Sequence, residues 1–433
     1  MEITEKSVLE AAGEYLIPVP LRLPIVVKGE GVMVEDINGK KYLDFAAGPG
    51  VLPVGHCHPE IVEVAKKQVA LLTQCPGNAL NVQVVELAKK LAQIAPKGLK
   101  RSFFCNSGAE AVDGAIKLAK RHAAREGKAA SGIVALEHGF HGRLALSLSL
   151  TGMTGRKKGL SAYASFPGVH HIMAPYCYRC PLVYPSCDLY CAQSLERFFQ
   201  TQIPADGIAA FICEPLMGVG GVIVPQKEYL PRIQDICKKY GILLIFDEIF
   251  AGFGRTGKMF ASEHSGVVPD IMTVAKAIGG GLPLGGIVAT EEVGRAFEAD
   301  DHYTTFGPNN VMALTTGLKV IEIIQKENLV DNAAKMGDYF IKEVRKLQEE
   351  YEFVGDVRGQ GLFIGIEIVK DNASKTPDAE LAKKLKQGLQ ERGVLTSITG
   401  NYACVIRLTP PLTINKSHID EVIEALRGTI KSP

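Results

Sequence analysis

Residues 208–213 read IAAFIC, residues 242–246 read ILLIF and residues 270–274 read DIMTV, and these three runs decide the fold. Each run is short, mostly aliphatic and bounded by glycine, proline or acidic residues, as are strands that are buried on both faces of a parallel sheet. Gly132–Leu136 and Gly286–Thr290 have the same character, and helix-like stretches separate the five runs. The alternation predicts an α/β domain with a mostly parallel sheet.

Three ionisable residues follow these runs where the strands should end. Glu214 comes directly after the first run, Asp247 directly after the second, and Lys276 two residues after the third. In open α/β sheets, ligands bind at the carboxyl ends of the strands. Taken singly, each residue is equally well explained as an ion pair or a cap at a strand end. The group of three favours a ligand site at this edge of the sheet.

An anion-binding segment is predicted at Cys105–Glu110, which reads CNSGAE. Ser107 opens a helical pattern that runs to His122, and Glu110 follows the serine by three residues. Backbone N–H groups at the start of a helix lack helical acceptors and, together with the helix dipole, bind anions. Many helices begin with Ser-Gly, so this segment alone is a weak signal.

The two ends of the chain differ from its middle. Residues 30–45 contain an Asn-Gly pair between alternating segments, which is the pattern of a β-hairpin. Near the C-terminus, residues 353–370 and 404–413 have strand patterns, and Ala379–Arg392 and Lys416–Arg427 have helical patterns. We therefore expect a small α+β domain built from both termini. The predicted segments are 1–59 and 326–433 for the two parts of the small domain and 60–325 for the large domain.

The bulk composition is that of an ordinary globular protein. The 433 residues include 48 Lys and Arg against 47 Asp and Glu, which indicates no basic surface for nucleic acid or anionic lipid. The longest apolar runs are far shorter than a membrane span, and the N-terminus shows no apolar signal region. We expect neither nucleic acid nor membrane as a partner, and a cytoplasmic location.

The stretch Gly252–Met259 (GFGRTGKM) resembles two nucleotide-binding motifs and fits neither. Its glycines do not directly follow a strand, and no regular apolar helix follows Gly257, as a dinucleotide site requires. Met259 stands where a P-loop needs a hydroxyl that binds magnesium. The sequence therefore does not predict a nucleotide site here.

Four of the ten cysteines crowd into residues 177–191, namely Cys177, Cys180, Cys187 and Cys191. The first two have the spacing of a compact chelating turn, and the last two would share a helix face if the segment were helical. The full spacing, C-x2-C-x6-C-x3-C, is not a standard zinc motif. A structural metal, disulfides and plain thiols in a packed lobe all remain open.

Seven motifs, taken in their order along the chain, resemble those of the class III aminotransferases. They are SGAEA (107–111), FHGR (140–143), EP (214–215), DE-x-x-x-GFGRTG (247–257), AKAIGGGLPLGG (275–286), TTFG (304–307) and RLTPPLT (407–413). These are fold-type I enzymes that depend on pyridoxal 5'-phosphate (PLP) and are related to 4-aminobutyrate aminotransferase. The resemblance runs from about residue 20 to the C-terminus. It implies a homodimer with a shared active site, or a tetramer.

The resemblance also implies a role for each matching residue. Lys276 would form a Schiff base with PLP and, once released, would move a proton between the substrate and the cofactor. Asp247 would pair with the pyridine nitrogen and keep the ring electron-withdrawing. The other implied cofactor-binding residues are Ser107, Gly108 and Ala109 for the phosphate, Phe140 and Ile249 for the two ring faces, His141, Glu214 and, from a second subunit, Thr305.

Two arginines match family positions that bind substrate carboxylates. Arg407 matches the principal position, and Arg143 matches a second position of the 4-aminobutyrate type. A guanidinium suits this role because it donates two parallel hydrogen bonds to a carboxylate. A surface ion pair is the competing interpretation for each arginine.

Two positions depart from the 4-aminobutyrate type. Val219 stands where a glutamate normally pairs with Arg407 when an ω-amino acid binds, so we expect α-amino acids to be the usual substrates. Phe250 stands where a glutamine usually donates a hydrogen bond to the phenolic oxygen of PLP, and a phenyl ring cannot donate one.

We therefore predict an aminotransferase that exchanges an amino group between an amino acid and a 2-oxo acid, such as 2-oxoglutarate or pyruvate. An amino-acid racemase or epimerase and a dialkylglycine-type decarboxylating transaminase remain open, because Lys276 serves each of them. A catalytically idle binding protein would need only the fold. The intact set of Lys276, Asp247, Ser107 and Arg407 disfavours that alternative.

Overall fold

The structure, a computed structural model, describes residues 3–17, 24–77, 79–302 and 304–431. The strands are β1 (Val26–Glu30), β2 (Met33–Asp36), β3 (Lys41–Asp44), β4 (Leu99–Cys105), β5 (Gly132–Leu136), β6 (Val169–Ile172), β7 (Ile208–Cys213), β8 (Leu243–Asp247), β9 (Ile271–Val274), β10 (Gly285–Thr290), β11 (Val354–Gln360), β12 (Phe363–Ile368), β13 (Val394–Leu395), β14 (Ser397–Thr399) and β15 (Val405–Leu408). The helices are α1 (Glu5–Tyr15), α2 (Ala47–Gly50), α3 (Pro59–Leu71), α4 (Val82–Ile94), α5 (Gly108–Arg125), α6 (Ala145–Leu150), α7 (Thr154–Lys157), α8 (Tyr190–Thr201), α9 (Tyr229–Tyr240), α10 (Glu291–Gly294), α11 (Val311–Lys326), α12 (Leu329–Glu350), α13 (Ala379–Glu391) and α14 (Lys416–Lys431).

The large sheet has seven strands in the order β4-β10-β9-β8-β7-β5-β6. Neighbours from β9 to β6 are parallel, and β10 is antiparallel to both of its neighbours. Only residues 275–284 connect β9 to β10, which is too short for the crossover that a parallel pair needs. The predicted α/β fold with a mostly parallel sheet is confirmed. Strand β8 lies one residue later than predicted, so Asp247 is its last residue rather than the residue after it.

Helix α5 begins as its sequence predicts. The Ser107 hydroxyl accepts a hydrogen bond from the backbone N–H of Glu110 at 3.3 Å. The Glu110 carboxylate accepts bonds from both the backbone and the side-chain nitrogen of Asn106, each at 2.9 Å, instead of reaching back to the Ser107 N–H. Four of the eight buried residues of α5 are alanines and one is glycine, and these small residues let the helix approach the sheet closely.

Both termini contribute to the smaller sheets. Strand β13 pairs in parallel with β3, so Val394 lies opposite Leu43 in the sheet β1-β2-β3-β13. The other small sheet is antiparallel, in the order β11-β12-β15-β14, and β15 carries Arg407. The prediction of a small α+β domain from both ends of the chain is confirmed. The exact segment boundaries stay predictions: residue 59 is the first residue of α3, and residue 325 lies one residue before the end of α11.

A buried charge cluster joins the small sheet to the segment that follows β6. Glu367 on β12 is fully buried and forms ion pairs with Arg358 at 2.6 Å and Arg179 at 2.5 Å. The Tyr176 hydroxyl also donates a hydrogen bond to Glu367. Arg358 in turn donates to the carbonyl oxygen of Val222 at 3.0 Å. The cluster therefore holds the loop after β7 against the small sheet.

Cys187 and Cys191 do not belong to one helix, so the condition under which they would share a helix face is not met. Helix α8 begins at Tyr190, so Cys187 lies before it. Asp188 and Leu189 have left-handed backbone conformations, with φ of 45° and 51°, and such residues interrupt a right-handed helix.

The four clustered cysteines nevertheless line one small cavity, of about 10 Å³. All ten cysteines are free thiols, so the described residues contain no disulfide. Within the described ranges, the only three metal-ligating groups whose ligand atoms all lie within 4.8 Å of one another are those of His122, Glu126 and Glu292. The thiols are therefore gathered in space without forming a chelate. Separately, no helix in the described part of the chain is long and apolar enough to cross a membrane.

Candidate active site

A cavity of about 490 Å³ opens at the carboxyl ends of the parallel strands. Ten of the twelve predicted site residues line it, namely Ser107, Gly108, Ala109, Phe140, His141, Arg143, Glu214, Asp247, Ile249 and Lys276. Arg407 and Thr305 are the two that do not. The fold thus brings together residues that lie up to 169 positions apart in the sequence, from Ser107 to Lys276.

Lys276 lies just after β9, in a strained backbone conformation with φ of 49°. Burial and, to a smaller extent, the positive charge of Arg407 lower the pKa of its amine to about 8, against the opposite influence of Asp247 and Glu214. An amine with a pKa near 8 is largely available in its neutral, nucleophilic form at mildly alkaline pH. This is the property that Schiff-base formation requires.

Asp247 forms a buried pair with His141. The imidazole Nδ1 lies 2.8 Å from one Asp247 oxygen, and the other oxygen accepts a hydrogen bond from the Ile249 backbone N–H at 3.1 Å. The His141 side chain is fully buried and its Nε2 has no hydrogen-bond partner among the described residues. The pair fixes the orientation of the carboxylate that faces the cavity. Sequence reasoning placed His141 in the site and gave it no such role.

The start of α5 forms a narrow cradle. A Cβ atom at Gly108 would lie only 2.8 Å from the Ile249 side chain, and one at Gly285 would lie 2.6 Å from the Ser107 carbonyl oxygen. Both glycines therefore leave room that any other residue would fill. The backbone N–H groups of Gly108 and Ala109 belong to the first helical turn, where helical acceptors are lacking. The cradle suits a phosphate group.

Glu214 joins two loops that border the cavity. Its carboxylate accepts hydrogen bonds from the backbone N–H groups of Phe140 and Gly218, both at 2.9 Å. Burial and, to a smaller extent, the nearby Asp247 charge raise the pKa of Glu214 to about 7, against the opposite influence of its two backbone hydrogen bonds. Glu214 thus holds the backbone of Phe140, which is 74 positions away in the sequence.

Arg407 is buried without a counter-ion. It is 6% exposed, and no described residue forms an ion pair or a hydrogen bond with its guanidinium. Its Cζ atom lies 4.7 Å from the centre of the Phe250 ring, at the edge of the cavity. Burial lowers the pKa of Arg407 to about 10, so the group stays charged at neutral pH. Because buried polar groups are normally paired, a ligand carboxylate is the expected partner.

Arg143 and Thr305 are both exposed. Arg143 lines the cavity and, within the described residues, forms no ion pair, so the surface ion pair considered from the sequence is not observed. Thr305 lies outside this cavity, and its carbonyl oxygen accepts a hydrogen bond from Gln74 at 3.0 Å. Its contribution to the site of a second subunit stays a prediction.

A comparison with known protein families identifies the chain. The model of the family described as "Aminotransferase class-III" matches residues 19–430. The chain belongs to the class-III aminotransferases. It is therefore a PLP-dependent enzyme of amino-group transfer between an amino acid and a 2-oxo acid.

Individual relatives span nearly the whole chain. It is 39% identical to the acetylornithine aminotransferase of Methanocaldococcus jannaschii, over 98% of both chains. It is 38% identical to the leucine/methionine racemase of Thermococcus litoralis, over 94% of this chain and 90% of the relative. A crystal structure of an (S)-enantioselective omega-transaminase from Thermomicrobium roseum superposes with a TM-score of 0.93 and 34% identity, covering 100% of this chain and 99% of the other.

The site of this class-III aminotransferase fits PLP. The glycine-lined cradle suits the phosphate, the Asp247–His141 pair suits a protonated ring nitrogen, and the Lys276 amine is deprotonated easily. When bound, PLP supplies an electron sink that lets the amino group change carriers. Sequence reasoning missed the lining residue Val51, which lies in none of the motifs and whose place in the cavity depends on tertiary packing.

Proposed function

We propose that this aminotransferase acts on α-amino acids and 2-oxo acids, with Arg407 binding the α-carboxylate. The observation that carries the proposal is the burial of Arg407 without a counter-ion. Removing one partner of a buried ion pair costs roughly 3–5 kcal/mol, so a substrate that supplies the missing carboxylate gains a large part of that energy. An ω-amino acid has no carboxylate at its reacting carbon and leaves the guanidinium unpaired.

The loop beside the cavity supports this preference. Val219 lines the cavity, and its carbonyl oxygen accepts hydrogen bonds from the Thr399 hydroxyl at 2.5 Å and the Gly400 backbone N–H at 2.9 Å. The position that carries a gating glutamate in the 4-aminobutyrate type is thus held firmly and is apolar. It offers no acid that could neutralise Arg407 when an ω-amino acid binds.

The remaining roles follow the geometry of the site. Lys276 would hold the cofactor and move the proton, and Asp247, oriented by His141, would pair with the ring nitrogen. The other proposed contacts are Ser107, Gly108 and Ala109 to the phosphate and Phe140 and Ile249 to the ring faces, with Glu214 supporting Phe140, Arg143 binding a second carboxylate and Thr305 serving the site of the other subunit. We include in the proposal a homodimer, which this use of Thr305 requires, and a cytoplasmic location.

The test compares kcat/KM for L-alanine and 4-aminobutyrate. The wild type should prefer L-alanine by at least about tenfold, and Arg407→Ala should remove most of that preference. Val219→Glu should raise the rate with 4-aminobutyrate relative to the rate with L-alanine. Val219→Gln introduces a side chain of the same shape as glutamate but without its charge, and it should not raise that ratio. A wild type that prefers 4-aminobutyrate would contradict the proposal and make Arg143 the principal carboxylate-binding residue.

Racemisation is the second candidate, because a relative at 38% identity is a leucine/methionine racemase. In a racemase the proton that Lys276 moves returns to the same carbon, on either face. Chiral analysis of L-leucine, L-methionine and L-alanine incubated without any 2-oxo acid separates the two reactions. The racemase is favoured if the D-enantiomer accumulates in this incubation faster than the same amino acid is transaminated when a 2-oxo acid is supplied.

A further inference from the structure

The Phe250 ring lies against two cations of the active site. The Lys276 Nζ atom is 3.8 Å from the ring centre, and the Arg407 Cζ atom is 4.7 Å from it. The ring itself is 6% exposed and lines the cavity. Both distances are within the range in which an aromatic face attracts a cation, and the attraction is stronger where water is excluded.

The surrounding chain leaves space for this ring. A Cβ atom at Gly50 would lie 2.2 Å from the Phe250 ring, and one at Gly218 would lie 2.8 Å from it. The ring of Phe363 packs on Phe250 with 4.6 Å between ring centres. The chain therefore leaves room for the Phe250 ring at two glycines, and Phe363 packs against the ring. The residues around Phe250 are thus shaped to accommodate an aromatic ring at this position.

The charge of Arg407 explains why an aromatic residue matters here. No described residue provides an acid within ion-pair distance of this guanidinium, and Glu214 is the acid whose charge raises the pKa of Arg407 from further away. An acidic neighbour would hold the guanidinium but would also neutralise it. An aromatic face holds a cation and leaves its N–H groups available to a carboxylate.

We propose that Phe250 is a positioning residue that determines specificity: its ring holds the Arg407 guanidinium in place, still charged, for the α-carboxylate of the substrate. The inference rests on the proposed function, because it acts through Arg407. It also separates the carboxylate-binding cation from the Lys276 amine, which lies on the same ring. Arg407 therefore has an aromatic ring beside it and no glutamate at the gate position, which is Val219. This arrangement favours substrates that carry a carboxylate on the reacting carbon.

The experiment uses the PLP-loaded enzyme and the variants Phe250→Leu, Phe250→Tyr and Phe363→Leu. In Phe250→Leu, which keeps an apolar side chain without an aromatic face, KM for L-alanine should rise about tenfold while kcat changes by less than about threefold. The inhibition constant of isovalerate, an unreactive carboxylate, should rise by a similar factor. Phe250→Tyr keeps the ring and should restore both values to within about threefold of the wild type.

Phe363→Leu is the matched control, because it removes an aromatic ring that packs on Phe250 and keeps the Phe250 ring over which Arg407 lies. It should lower the melting temperature and leave both constants within about twofold. The visible absorbance of bound PLP reports whether each variant is folded and loaded. Should Phe250→Leu fail to load, Phe250→Met replaces it, with the same expected changes.

The outcomes separate this inference from the function on which it rests. If Arg407→Ala raises KM for L-alanine and Phe250→Leu leaves both constants unchanged, the role of Phe250 is overturned and the proposed function stands. If Arg407→Ala also leaves KM unchanged, the proposed function itself fails. Equal losses in Phe250→Leu and Phe363→Leu would show that the effect is one of packing and would overturn the inference.

Discussion

At the scale of single residues, Lys276 has a pKa of about 8 where an ordinary lysine has 10.5. Only the neutral form of a lysine amine is nucleophilic, and its fraction grows as the pH approaches the pKa. Lys276 should therefore react with PLP at a pH where free lysine is still mostly protonated. The rate of PLP attachment to the apoenzyme should therefore rise with pH through a midpoint near 8. Stopped-flow absorbance from pH 6.5 to 10 measures it, with Nα-acetyl-lysine as the control for the titration of PLP itself. A midpoint near 10.5 would contradict the lowered pKa.

At this scale the sequence predicts most of the residues that line the site but few of the contacts between them. Asp247 ends one buried strand and Lys276 follows another, and together with Glu214 their positions indicate a ligand site. The contact between Phe250 and Arg407 joins residues far apart in the chain, and no local pattern encodes it. The bonds from Glu214 to two separate loops likewise exist only in the folded chain.

At the scale of secondary structure, the strands β5 and β7 have the predicted bounds. Their apolar runs end at glycine or a charged residue, which makes the boundaries visible. The antiparallel direction of β10 was not predicted, because the periodicity of a buried strand is the same in either direction. The start of α8 at Tyr190 was also missed, because left-handed backbone at Leu189 leaves no clear mark in the residue types.

The N-cap of helix α5 provides a test at this scale. Ser107→Ala removes the hydrogen bond to the Glu110 N–H and should lower the free energy of unfolding by about 1 kcal/mol. Thr290→Ala is the matched control, since Thr290 caps α10 through the Val293 N–H. Both variants should lose stability in denaturant, whereas only Ser107→Ala should release PLP faster on dilution. Equal PLP retention in the two variants would argue against a phosphate at the start of α5.

At the scale of the whole molecule, the buried cluster around Glu367 ties the small sheet to the large domain. Glu367→Gln keeps the shape but leaves Arg179 and Arg358 without their shared carboxylate, which should cost about 3–5 kcal/mol of unfolding free energy. Chemical denaturation followed by circular dichroism measures the loss. As a control, Glu86→Gln removes the exposed partner of Lys89 and should change stability little. Similar stabilities for the two variants would show that the cluster contributes no more than a surface pair.

The parallel pairing of β3 with β13 also bears on how the chain is made. Leu43 leaves the ribosome long before Val394, its neighbour in the sheet. At about 5–20 residues per second, the gap between the two is on the order of tens of seconds. During that time β3 can pair with β2 along one edge, but its other edge lacks β13. Leu43 and Phe45, which are almost completely buried in the finished protein, are therefore incompletely covered. The first part of the chain to be synthesised is thus among the last to be completed, and a nascent chain stalled before Val394 would present this apolar segment to chaperones.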